Sequence, residues 1–107
     1  MTELPFFIKD LPVVDIGVPE ITVYIMVGAQ TVALIEVSDD ATVKPHSHGP
    51  QWGIVLAGQV GLSMAGAAHI FRRGDTYLIP AGVEHGATLT KGTRLVEFFA
   101  ENDRFDL

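Results

Sequence analysis

Three histidines carry most of the chemistry this chain can offer: His46 and His48 in Lys44-Pro45-His46-Ser47-His48-Gly49-Pro50-Gln51, and His85 at the end of Gly74–His85. In an extended strand, alternate side chains share a face, so His46 and His48 point the same way. Two imidazoles on one face make half of a metal site, because neutral imidazole is the commonest protein ligand for zinc, iron, copper and nickel. An isolated His-x-His is ordinarily a solvated pair. The third histidine shifts that balance: it closes a strand and a Pro80-x-Gly82 turn, and burying three imidazoles with neither metal nor hydrogen bonds would be costly. His69, in Ala68-His69-Ile70-Phe71, reads as an exposed strand residue. Glu84, Tyr77 and Glu97 are the acid–base candidates near the histidines; Glu84 adjoins His85 but faces the opposite side of an extended chain, as a surface carboxylate would.

The elements that must position these residues are strands. β-branched and aromatic runs alternate with Gly, Pro and Asp punctuation, predicting strands over 13–16, 21–27, 31–37, 52–57, 59–64, 69–72, 76–79, 86–89 and 94–100. Their regular spacing predicts an all-β antiparallel sandwich or closed barrel, and no window supports an amphipathic helix. The turns at Gly28, Gly58, Gly66, Gly74 and Gly92 each place glycine where a tight reversal favours positive φ. If Gln51 points inward, so do Gly53 and Val55, which puts Trp52, Ile54 and Leu56 on the other face. Those side chains need cover, from the N-terminal segment Leu4–Ile8, from a second subunit, or through a bulge that turns them into core. Small inward positions at Gly53 and Gly61 would open a pocket. Tyr24, Met26, Phe98 and Phe99 read most simply as core.

With 107 residues, the chain fits one domain, 1–107, whose first 12 residues form an N-terminal arm. It contains no cysteine, which excludes disulfides, thiolate metal sites and cysteine nucleophiles. A net charge of −6 disfavours a phosphate backbone, so no nucleic-acid partner is expected. No stretch approaches the roughly 20 apolar residues of a membrane span, and no secretory signal is legible; a cytoplasmic protein is the default expectation.

The histidine segments resemble the paired motifs of the cupin superfamily. The first motif, over 40–58, runs Gly, five residues, His-x-His, three or four residues, Glu, six residues, Gly. Asp40 takes its first glycine position, His46 and His48 match, Gln51 falls on the acidic position with one residue fewer after His48, and Gly58 matches the last glycine. The second motif, over 74–89, is matched without a gap by Gly74, Pro80, Gly82 and His85, with Leu89 in place of asparagine. The resemblance implies an antiparallel double-stranded β-helix, a jelly-roll barrel, holding one divalent ion (Fe, Zn, Ni or Mn) through His46, His48, Gln51 and His85. Gln51 either ligates through its carbonyl or hydrogen-bonds a metal-bound water; in both cases it brings no negative charge. The resemblance further implies a small-molecule ligand in the barrel and a homodimer. Three functions follow: a metalloenzyme with oxygenase-type or Lewis-acid isomerase, cyclase or lyase chemistry; a non-catalytic ligand-binding module; or a structural module tied together by its metal.

Overall fold

Alternation between buried and exposed side chains, more than any local propensity, organises the chain. In the computed structural model, which describes residues 3–105, a single helical turn α1 (Phe6–Lys9) precedes ten strands. These are β1 (Val13–Val14), β2 (Ile21–Val27), β3 (Thr31–Val37), β4 (Ala41–His46), β5 (Gln51–Ala57), β6 (Gln59–Met64), β7 (Ala67–Arg72), β8 (Thr76–Ile79), β9 (His85–Leu89) and β10 (Arg94–Phe99). They form a six-stranded sheet, β1-β2-β3-β10-β5-β8, facing a four-stranded sheet, β4-β9-β6-β7, with every pairing antiparallel. This is the antiparallel all-β architecture expected from the strand pattern, in the jelly-roll form that the cupin resemblance implies.

The core lies between the sheets. Thr31, Ala33, Ile35 and Val37 of β3 are buried on one face, and Ile21, Val23 and Ile25 of β2 continue the row. Fully buried Val or Ile side chains such as Val23, Ile25, Val55, Val60 and Ile79 each contribute about 1.5–3 kcal/mol of apolar burial. In β5, Gln51, Gly53 and Val55 point inward while Trp52 and Leu56 are exposed and Ile54 half-buried, as the period-two reading requires. The register shift in the β5–β10 ladder falls at Arg94/Leu95, too late to turn that face over. Nor does the N-terminal arm bury it: α1 has no buried residue, and Phe6 and Phe7 are exposed.

Several details depart from the sequence reading. The strand at 13–16 is two residues long, and β4, absent from the predicted strand ranges, forms from Ala41 to His46. Its pairing with β9 is interrupted between Val43 and His46, where Pro45 cannot donate to the ladder. Met26 and Phe98 are exposed and Tyr24 half-buried, because each sits on the outward half of its strand; Phe99 alone of the four is core. Gly61 lies on the outer side of β6 against Thr88, so it opens no interior space. Among the turn glycines, Gly28 does not adopt positive φ, whereas Gly58, at φ 77°, does.

Gly58 is held more tightly than its conformation alone requires. A Cβ there would lie 2.5 Å from the Thr93 Cα and 2.3 Å from its Oγ1, while one on Gly28 would meet nothing within 4 Å. Gly58→Ala is therefore expected to destabilise the protein by about 2–4 kcal/mol, from backbone strain and overpacking together. Gly28→Ala should stay within about 0.5 kcal/mol of the parent. Urea unfolding of the two variants side by side checks both.

Candidate metal centre

Two antiparallel strands bring the histidines together. His46, at the end of β4, pairs directly with His85, at the start of β9, while His48 reaches the same point from the loop just beyond β4. The expectation of one continuous strand carrying His46 and His48 is thus met only in part: the pair converges, but across a strand end. Ring centroids lie 4.4 Å apart for His46–His85, 4.8 Å for His48–His85 and 5.3 Å for His46–His48. One ring nitrogen from each falls within 4.8 Å of the others, a spacing that could hold a metal ion.

The hydrogen bonds settle which nitrogens these are. Nδ1 of His46 lies 2.8 Å from the Lys44 carbonyl, that of His48 2.8 Å from the Gly49 carbonyl, and that of His85 2.9 Å from the Val83 carbonyl. A carbonyl oxygen only accepts, so each Nδ1 carries the proton and each Nε2 presents a lone pair. Nε2 of His48 is buried and has no hydrogen-bond partner among the described residues. Burial pushes the His48 and His85 imidazoles below their usual range, against the carbonyl contacts that favour the charged form, so both are kept in the neutral state a metal needs.

Gln51 faces the same cavity from β5. Its Nε2 donates to Oε2 of Glu97, and its Oε1 is buried without a partner among the described residues. The Tyr77 hydroxyl donates to the same Glu97 oxygen at 2.6 Å. Tyr77, Gly53 and Glu97 form one cross-strand row over β8, β5 and β10, and the row works because its middle residue is glycine. A Cβ on Gly53 would sit 2.3 Å from the Tyr77 ring. Gly53 does face inward as expected, but the space it leaves is filled by Tyr77. Burial pushes the Glu97 carboxyl above the usual carboxylate range, opposed by the two donors, and drives the Tyr77 hydroxyl upward too.

These groups line one cavity of about 950 Å³ between the sheets, which includes His46, Gln51, Tyr77, His85, Glu97 and Arg104. Glu84 and His69 are exposed and lie outside it. Arg104 escaped the sequence reading: it follows the last strand, matches no motif, and is brought in only by the path of the chain after β10. Among the described residues, Nε2 of His48 and Oε1 of Gln51 are buried polar atoms without a partner, and the group His46, His48 and His85 could hold a metal ion, so the histidines present fit one.

The cupin domain profile matches residues 31–99. A search of curated protein sequences returns no match. Among solved structures, the chain is similar to KdgF from Halomonas sp. (TM-score 0.73, 21% identity, covering 89% of this chain and 91% of that one). It is similar to an RmlC-like cupin from Shewanella frigidimarina (TM-score 0.74, 20% identity, 89% and 88% covered). It also matches Bacillus subtilis oxalate decarboxylase, a protein with Mn(II) centres (TM-score 0.74, 14% identity, 90% of this chain and 29% of that one). At these identities the likeness is one of fold. With a profile match over most of its length and both histidine motifs folded onto one barrel cavity, the chain belongs to the cupin family.

Proposed function

We propose that this protein is a metal-dependent enzyme acting on a small molecule in the barrel cavity, with one divalent ion held by Nε2 of His46, His48 and His85 and by Oε1 of Gln51. The observation that carries the reading is the convergence of three imidazoles whose Nδ1 protons are already committed to backbone carbonyls. Three neutral imidazoles and a neutral amide leave the full positive charge on the ion, which when bound supplies Lewis acidity, or oxygen activation if it is Fe(II). The chain's own residues do the rest. Glu97 fixes the Gln51 amide by accepting from Nε2, which leaves Oε1 as the free acceptor, and Tyr77 fixes Glu97 in turn. Glu97 is also the group placed to hold or release a proton beside the substrate, in a cavity whose walls include the apolar Ile35, Leu62 and Leu89. Oxygenase-type and Lewis-acid chemistry are separated by turnover of a ligand library with and without oxygen.

Protein purified without a histidine tag should contain close to one divalent ion per chain by elemental analysis, and His85→Ala should contain none. Metal in neither protein contradicts the proposal. Adding metal at about 100 times its Kd should raise stability by about 2.7 kcal/mol in the parent and by nothing in His85→Ala, read by thermal unfolding. Gln51→Ala and Glu97→Ala should each weaken metal affinity by roughly 10–100-fold in a competition titration, the second by freeing the amide to turn over.

We also propose a homodimer formed by the outer face of the six-stranded sheet. Trp52, Leu78 and Phe98 are cross-strand neighbours there, all exposed, with the Trp52 and Phe98 rings 5.8 Å apart. Light scattering should give twice the monomer mass for the parent and the monomer mass for Trp52→Glu.

A further inference from the structure

One charged group in the cavity has no role in holding the metal. After β10 the chain turns back over the barrel and is pinned there. The Ala100 amide donates to the Pro50 carbonyl at 3.1 Å, the Thr31 hydroxyl donates to the Glu101 carbonyl at 2.7 Å, and the Gly49 amide donates to the Glu101 carboxylate at 2.8 Å. The last contact depends on Gly49 having no side chain, since a Cβ would lie 2.7 Å from the Glu101 carboxyl carbon. This anchoring sets Arg104 beside the histidine motif. Its guanidinium lies over the Phe105 ring at 4.5 Å and the Phe99 ring at 5.3 Å, and Phe99 is itself in edge contact with His48 at 5.5 Å.

The result is a guanidinium held by two aromatic faces at the wall of the cavity that carries His46, His85 and Gln51. Its Nε is buried and, among the described residues, has no hydrogen-bond acceptor. A buried charged donor without an acceptor is costly, and such a group calls for an explanation in the molecule's function. The nearby carboxylates attract the charge but give this nitrogen no acceptor: Glu97 accepts from Gln51 and Tyr77, and Glu101 accepts from Gly49. Aromatic stacking also removes the freedom that an arginine normally loses when it binds, so the planar fork is presented ready-made.

We infer that Arg104 is a substrate-binding residue that receives a carboxylate, and that the molecule taken into this cavity is a small monoanionic organic acid. A planar carboxylate matches the guanidinium fork. The cavity lining sets two cations, Arg104 and the exposed Lys44, against Asp15, Glu20 and Glu97, and that balance favours a ligand with one negative charge over a phosphate dianion. Stacked rings beside the fork suit a ligand with an apolar body. The inference deepens the proposed function by naming its substrate class, and it rests on that reading only for the reaction, because the contact to Arg104 does not require the metal.

Benzoate and its neutral isostere benzamide separate charge recognition from simple filling of the cavity. Each is titrated into metal-free protein while the Arg104 Nε–H resonance is followed by nitrogen-15 NMR. Benzoate should shift that resonance and bind at least about tenfold more tightly than benzamide, and Arg104→Gln should remove about tenfold of benzoate affinity and the discrimination with it. Arg104→Lys, which keeps the charge but not the fork, should fall between. Equal binding of benzoate and benzamide to the parent, an unmoved Nε–H resonance, or undiminished benzoate binding by Arg104→Gln overturns the assignment; methylphosphonate binding more tightly than benzoate overturns the carboxylate class. Should Arg104→Gln fail to fold, the comparison within the parent decides. Zinc uptake is measured on separate, zinc-loaded portions of the same proteins: equal uptake by parent and Arg104→Gln shows that the substitution spares the metal centre, and no uptake by either defeats the metal reading without touching the benzoate result.

Discussion

Each histidine in the cluster spends its Nδ1 proton on a backbone carbonyl within two residues, and the rest of the site depends on that constraint. The bonds fix both ring orientation and tautomer, so three Nε2 lone pairs are turned toward one another. Lone pairs at this spacing repel, and among the described residues Nε2 of His48 is buried and unpaired. The fold supplies the geometry by pairing the end of β4 with the start of β9, so that His46 and His85 are direct cross-strand partners. A break in the ladder at Pro45 then releases His48 to approach from the side.

A second constraint runs across the opposite sheet. Tyr77, Gly53 and Glu97 occupy one row, and the absent side chain of Gly53 is what lets the tyrosine ring lie over β5 and reach the carboxyl. Glu97 then accepts from Gln51 as well, which orients an amide that would otherwise be free to turn over. Each group is positioned by the next, from Tyr77 through Glu97 to Gln51, and the last atom in the series, Oε1, faces the cavity unpaired. The two sheets thus contribute differently: one brings the imidazoles, the other an oriented neutral oxygen and a buried acid.

Much of this was legible in the residues. The gap-free run from Gly74 to His85 located the third histidine, and period-two alternation placed Gln51, Gly53 and Val55 inward and Trp52 and Leu56 outward. What was not legible depends on pairing between distant strands. Tyr77 and Glu97 are ordinary strand residues until the register of β8, β5 and β10 sets them in a row. Arg104 carries no signal at all, since its place follows from hydrogen bonds made by Ala100 and Glu101 to the loop after β4. Phe98 and Met26 read as core by composition, yet alternation turned them outward, because a strand buries only half its side chains.

The central claim is that three imidazoles share one ion. X-ray absorption of zinc-loaded protein reads this directly, through the multiple-scattering signature of imidazole rings. The account predicts three imidazole nitrogens at about 2.0–2.1 Å with the remaining positions filled by oxygen. A shell of oxygen alone, or one with fewer than three imidazoles, would contradict it.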